Sequence, residues 1–184
     1  MVFTSLDFYK KEPIVLNMNY TIDEDLTAPA PNEWADTNLF IVAKHPDFYV
    51  PEPNEKSIPE DPDEVTEKYV NTHWIFDMEA YIHSGVHLSL AGKGNYPDRR
   101  WDVSQLGFVF VSKEEWSTEA EAKEAAIGLI DSWNMYNSGD VWGYTITDDE
   151  DNEVDSCWGM YGHDYCEQEA KDAMASLVAS ELVA

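Results

Sequence analysis

The chain has 184 residues, with 37 Asp+Glu against 11 Lys+Arg, a formal net charge of -26. Aromatic residues make up 13% and hydrophobic residues 43%, which excludes a disordered acidic tail, since such tails are poor in aromatics. No stretch approaches the roughly 18 apolar residues of a helical membrane span. An anionic lipid surface or nucleic-acid backbone would be repelled, so direct binding to either is not expected.

In chain order, Pro13 to Leu16 is a short apolar run, and Ala28-Pro29-Ala30-Pro31 interrupts regular structure. Asn38 to Ala43 reads as a buried strand. Pro51 to Glu67 combines Pro51, Pro53, Pro59 and Pro62 with seven carboxylates. That pattern predicts a linker or flap, with a short helix starting near Asp63. From Thr72 to His83 apolar and polar residues alternate as in a strand, Ser84-Gly85 reads as a turn or bulge, and Val86 to Leu90 resumes the strand. Lys93 to Arg100 reads as a loop whose three cations are too few for a nucleic-acid patch. Gly107 to Ser112 is a further strand.

Thr118 and Glu121 have the spacing of a capping box. The helix it opens carries Ala122, Ala126, Leu129, Ile130 and Trp133 on one stripe and should stop near Ser138-Gly139. Val141 to Thr147 and Glu153 to Trp158 then predict a hairpin with an acidic tip, Asp148 to Asn152. Asp164 with Glu167 can cap a last helix, whose stripe is Ala170, Ala173, Met174, Leu177 and Val178. Together these predict an α+β fold: an antiparallel sheet with two amphipathic helices packed on one face. The expected organisation is an N-terminal strand/loop segment over 1–50, an acidic flap over 51–68, and a core domain over 69–184.

The two cysteines, Cys157 and Cys166, do not make a disulfide framework. Met1 to Lys11 lacks the basic and apolar regions of a secretory signal. A cytoplasmic setting is therefore expected.

Several segments carry a resemblance: Tyr81 to Val86; Trp101-Asp102 with Ser104 to Gly107; Val109 to Lys113; Gly139 to Tyr144; Asp155 to Gly159 with Tyr161-Gly162; and, more weakly, Asn38 to His45. In that order they resemble a family of small uncharacterised proteins encoded by phages, plasmids and integrated elements. The chain departs from the family where Pro46 to Val50 stands in place of a basic stretch. The resemblance implies a mobile-element setting inside a host cell and no particular chemistry. Small acidic proteins in that setting often counter host defences.

Motifs for chemistry are sparse. His83 and His87 lie four apart, and His163 and Cys166 have a spacing a metal pair could use, with Cys157 across the hairpin. A structural zinc site wants four ligands at recognisable spacing, and no second pair is present. The acidic tip lacks the glycine and the closing glutamate of an EF-hand loop. No metal or other cofactor is expected. No nucleophile elbow, P-loop or dinucleotide fingerprint stands in a usable context. A hydrolase could use His83, Asp102 and Ser104 or Cys157, but no spacing demands it, and the chain is not read as an enzyme. Trp142 and Trp158 suggest a cross-strand aromatic pair.

A soluble domain stays dispersed with a net charge of about 2–8, so the surplus acidity needs another reason. Salt adaptation is one, although the many large aromatics count against it. A surface that imitates DNA is another. The expected contact carboxylates are Glu60, Asp61, Asp63, Glu64, Glu114, Glu115, Glu121, Asp148, Asp149, Glu150, Asp151 and Glu153, with Trp116 or Tyr69 as aromatic anchors. The expected partner is a basic nucleic-acid-binding protein, such as a CRISPR effector nuclease or a restriction enzyme. The alternatives are an accessory interaction module of a mobile element and, third, a small hydrolase.

Overall fold

A computed structural model describes residues 17–34, 37–53, 61–96 and 103–181. The Pro13–Leu16 run, Glu60, Trp101 and Asp102 lie outside the described residues. The elements are β1 (Asn19–Glu24), α1 (Pro31–Trp34), β2 (Leu39–His45), β3 (Phe48–Val50), α2 (Pro62–Tyr69), β4 (His73–Ile82), β5 (Val86–Leu90), β6 (Val103–Ser112), α3 (Glu119–Ser138), β7 (Val141–Thr147), β8 (Glu153–Tyr161) and α4 (His163–Glu181). The fold is α+β with antiparallel pairing throughout. There are two sheets where one was expected, a five-stranded sheet ordered β3-β2-β6-β4-β5 and a three-stranded sheet ordered β1-β7-β8.

The expected pair of helices on one face is corrected accordingly: each sheet has its own long helix. On the larger sheet, α3 buries Ala122, Ala126, Leu129, Ile130 and Trp133 against Ile41, Met78, Ala80, Val109 and Val111. The opposite face holds Phe40, Val42 and Phe110, covered by Val65 of α2 with Tyr69 beside it. Period-2 alternation of apolar groups on both faces explains why β2 and β6 are apolar almost throughout. On the smaller sheet, Tyr144 and Ile146 meet Cys166 and Ala170 of α4.

Two special positions fix the larger sheet. Gly107 faces the β2 backbone so closely that a Cβ there would sit 1.9 Å from the Val42 carbonyl oxygen. Next to it the β4–β6 register slips between Met78 and Glu79, and Leu106 is the extra residue, turned into the core.

Segments before Val50 belong to these sheets. β2 lies between β3 and β6, and β1 pairs with β7 across more than a hundred residues of chain. Beyond it, Lys68 and the Tyr69 hydroxyl both donate to the buried Glu52 carboxylate, which ties α2 to the strand preceding it.

Candidate partner-binding surface

The smaller sheet is where charge gathers. β1, β7, β8, the hairpin tip, α4 and the bordering Asp25 and Asp140 hold fifteen carboxylates and one lysine, Lys171. The rest of the chain carries twenty-two carboxylates with the other ten cations. β8 is 9 residues and α4 is 19, so each runs about 30 Å. Fifteen carboxylates on elements of that length, counting the tip and the bordering residues beyond their ends, make a dense anionic surface of the kind duplex DNA presents at ~1.7 Å per charge.

Local chemistry holds this charge in place. Asp148 accepts from the Glu150 and Asn152 backbone N–H groups at 2.9 Å each and from the Asn152 side chain. The bonds from Asn152, then that from Glu150, hold its carboxyl below the usual carboxylate range. Asp151 takes a left-handed backbone with φ 61, and Asp149, Glu150 and Glu153 are exposed.

Below the tip, Lys171 pairs with Glu167 at 2.8 Å, which lowers the Glu167 carboxyl and raises the Lys171 ammonium. At the other end, Asp140 Oδ1 accepts from the Trp142 indole at 2.6 Å and from the His163 backbone N–H at 3.2 Å. The α4 N-terminus is therefore capped from across the chain. Asp164, expected as the cap, sits exposed inside the first turn.

The twelve expected contact residues divide into separate places. Asp61 and Asp63 open α2 and border a cleft of about 790 Å³ with Lys44, His45 and Gln105, and Glu64 is exposed one residue further on. Asp61 caps the helix by accepting from Asp63 N–H. Glu114 and Glu115 are exposed in the turn at the far end of β6, where Lys113 donates to the Val70 carbonyl. Glu121 is exposed, but its carboxylate accepts from Thr118, and those bonds hold its pKa low. Only Asp148, Asp149, Glu150, Asp151 and Glu153 belong to the smaller sheet. The expected anchors, Tyr69 and Trp116, are both half-buried against the larger sheet. Tyr69 stacks edge-on to Phe40 and Phe110, and half-buried Trp116 packs against the main core while its carbonyl accepts from Trp74.

The sequence reading included Asp155, in an acidic region from Asp148 to Asp155, and missed Asp23, Asp140 and the carboxylates of α4. A charge count over 140–181, twelve carboxylates to one lysine, is the signal that would have found the α4 set. Asp23 joins only through the long-range β1–β7 pairing.

The two tryptophans are not a pair, and the reason is a bulge. Trp142 lies opposite Met160 and Tyr144 opposite Cys157, so Trp158 and Gly159 together face Gly143. Trp142 turns to the α4 side, packing at 90° to the His163 ring. Trp158 turns to the open face, where its indole lies across Gly143 and stays 49% exposed.

The other candidate chemistry is dispersed. His83 is exposed in the β4–β5 turn, donating its N–H to the Gly85 carbonyl, and Ser104 is exposed on β6. Cys157 is exposed on β8 of the other sheet. Cys166 is fully buried, and burial raises its thiol pKa. Among the described residues no three His, Cys, Asp or Glu side chains gather as a metal site. No described helix is long and apolar enough to cross a membrane. No family model matches the chain, and no curated protein or solved structure matches it either.

Proposed function

We propose that this chain binds a basic, nucleic-acid-handling protein of a host cell and blocks its DNA groove, acting as a counter-defence protein of a phage or mobile element. The partner class is a CRISPR effector nuclease or a restriction enzyme. The mobile-element setting comes from the resemblance of the segments between Asn38 and Gly162. The observation that carries the reading is the concentration of fifteen carboxylates against one lysine on the three-stranded sheet, its tip and its helix, an anionic surface of the kind duplex DNA presents. Such a surface steers a cationic groove from a distance and speeds encounter.

The role of the tip is to occupy Lys and Arg side chains that otherwise hold phosphates. Asp148 suits it because the bonds from the Asn152 side chain, then from the Asn152 and Glu150 backbone, keep the carboxylate ionised and fixed in direction. Lys171 is the one local cation, and Glu167 engages it.

The test is competition. Candidate nucleases are loaded with labelled duplex and titrated with the protein at about 50 and 500 mM salt, where the screening length falls from above 10 Å to below it. The reading expects displacement of the duplex at low salt, weaker displacement at high salt, and a further loss with Asp148→Asn, Asp149→Asn and Asp151→Asn combined. Binding to the nuclease without displacing duplex would favour the accessory-module alternative. Loss of function on changing His83 alone in a folded protein would favour an enzyme.

A further inference from the structure

The face of the smaller sheet turned away from α4 has an unusual composition. Registers place Thr21, Thr145 and Ser156 side by side on it, with Asn19, Thr147 and Glu153 beyond, and Asp23 beside Gly143. All except Gly143 are exposed or half-exposed. Small hydroxyl side chains make the middle of this face low and flat, and Trp158 stands on it, while Tyr161 at its end, opposite Val141, donates to the Pro29 carbonyl. A Cβ at Gly143 would come within 2.2 to 2.9 Å of three indole ring atoms. The missing side chain therefore lets one ring face rest on the backbone and leaves the other to solvent. Asp23 on β1 stands next to Gly143, and Glu153 lies further along β8, opposite Thr147, accepting from Ser156 at 2.8 Å.

We infer that this open sheet face is the docking surface for an arginine-bearing segment of the partner protein, with Trp158 as the platform on which a guanidinium stacks and Asp23 as the carboxylate beside it. The inference rests on the proposed function and narrows it to a face, an anchor and a side-chain type.

Three observations select this occupant. Exposing a Trp costs apolar burial, and tryptophan is among the residues that dominate interface energetics when covered. The smaller sheet with its tip and helix is fourteen negative in net, from fifteen carboxylates and Lys171, and Asp23 and Glu153 stand on this face itself, which repels a nucleic-acid base stack and attracts a cation. Among cations, guanidinium is planar and weakly hydrated, and it stacks on indole while bonding carboxylates in its own plane. Ammonium matches the charge and lacks the plane.

The experiment uses the full chain and two capped peptides of four repeats, (Arg-Gly)4 and (Lys-Gly)4, titrated by calorimetry at about 50 mM salt. A fifteen-nucleotide oligothymidine is the third probe. The expected order is Arg peptide tighter than Lys peptide, with no saturable binding of oligothymidine. Trp158→Ala should weaken the Arg peptide about two- to fivefold, the range of an exposed cation–π contact, and the Lys peptide by a smaller factor. Asp148→Asn with Asp149→Asn and Asp151→Asn should weaken both peptides alike.

If Trp158→Ala leaves the Arg peptide as tight as before, the anchor is overturned while the cationic partner stands. If neither peptide binds saturably, both fall. Saturable oligothymidine binding lost in Trp158→Ala would overturn the inference in favour of base stacking. Trp158→Leu keeps apolar cover over Gly143 without a π face, so it gives the same discrimination should the alanine variant not fold.

Discussion

The two sheets of this protein are built to opposite specifications. The five-stranded sheet is covered on both faces, by α3 on one side and α2 on the other, and its main core gathers fifteen buried residues. Among the described residues the three-stranded sheet is covered by a helix on one face only, and four buried residues, Tyr144, Ile146, Cys166 and Ala170, make its core. That thin core has to hold together more than half of the chain's net negative charge. Self-repulsion works against it, while the apolar area opposing that repulsion is small. The larger sheet supplies stability and the smaller one presents charge.

The largest effect expected from any single change tests the sheets at their two tight glycines. Gly107→Ala drives a Cβ into the backbone of β2, where neither partner can swing away, and should cost about 3 kcal/mol or more. Gly143→Ala meets the indole of Trp158, a side chain at an open surface that can rotate, and should cost about 1 kcal/mol. Urea denaturation of both variants measures the difference. Equal costs would break the comparison.

Salt should separate the sheets next. Amide exchange in β7, β8 and α4 is expected to be faster than in β4 and β6 at low ionic strength, because local opening there loses fewer buried contacts and relieves repulsion. Raising salt to about 0.5 M shortens the screening length below the spacing of many of these charges. Protection in the smaller sheet should then rise while β4 and β6 change little. Uniform exchange across both sheets at every salt concentration would contradict the contrast.

What could be read from the sequence was what is written locally. The alternation from Thr72 to His83 gave β4 within one residue at each end. Thr118, Glu121 and Gly139 gave both ends of α3, because a capping box and a left-handed glycine are short-range devices. The division into two sheets was hidden, since β1 meets β7 across a separation no local pattern encodes. The direction of Trp158 was hidden for a related reason. A single bulge opposite Gly143 turns it to the other face from Trp142, and a bulge moves every residue beyond it by one step of the pleat. The acidic tip was visible as a run, whereas the acidic sheet was not, because its carboxylates come from segments far apart in the chain.

The caps sharpen the contrast between the long helices. Asp140 serves α4 from outside it, bonding both the His163 N–H and the Trp142 indole. Asp140→Ala should cost about 2 kcal/mol and raise exchange chiefly in α4 and β7. Thr118→Ala removes one side of a box contained within its own helix. It should cost about 1 kcal/mol, with faster exchange confined to the first turns of α3.

The smallest effect distinguishes the sheets by two tyrosines at high pH, half-buried Tyr69 and buried Tyr144. Burial, followed by the neighbouring Glu52 carboxylate, pushes the Tyr69 hydroxyl from its ordinary 10 up to about 12. A group whose folded pKa is raised adds stability that is complete below its unfolded pKa and is lost as pH climbs to the folded one. The loss therefore falls between about pH 10 and pH 12, as the unfolded chain ionises this phenol before the folded chain can. Tyr69→Phe removes that slope, at the expense of a donor to Glu52 at neutral pH. In the smaller sheet, burial first and then Asp155 raise Tyr144 in the same direction, so the slope left in Tyr69→Phe should diminish again in the double variant with Tyr144→Phe. Denaturation midpoints taken from pH 9 to 12 for the parent and both variants give each contribution by difference. A parent and a Tyr69→Phe variant with parallel profiles would mean that the α2 side of the larger sheet leaves this phenol open to water, and the claim that this sheet is sealed on both faces would fail there.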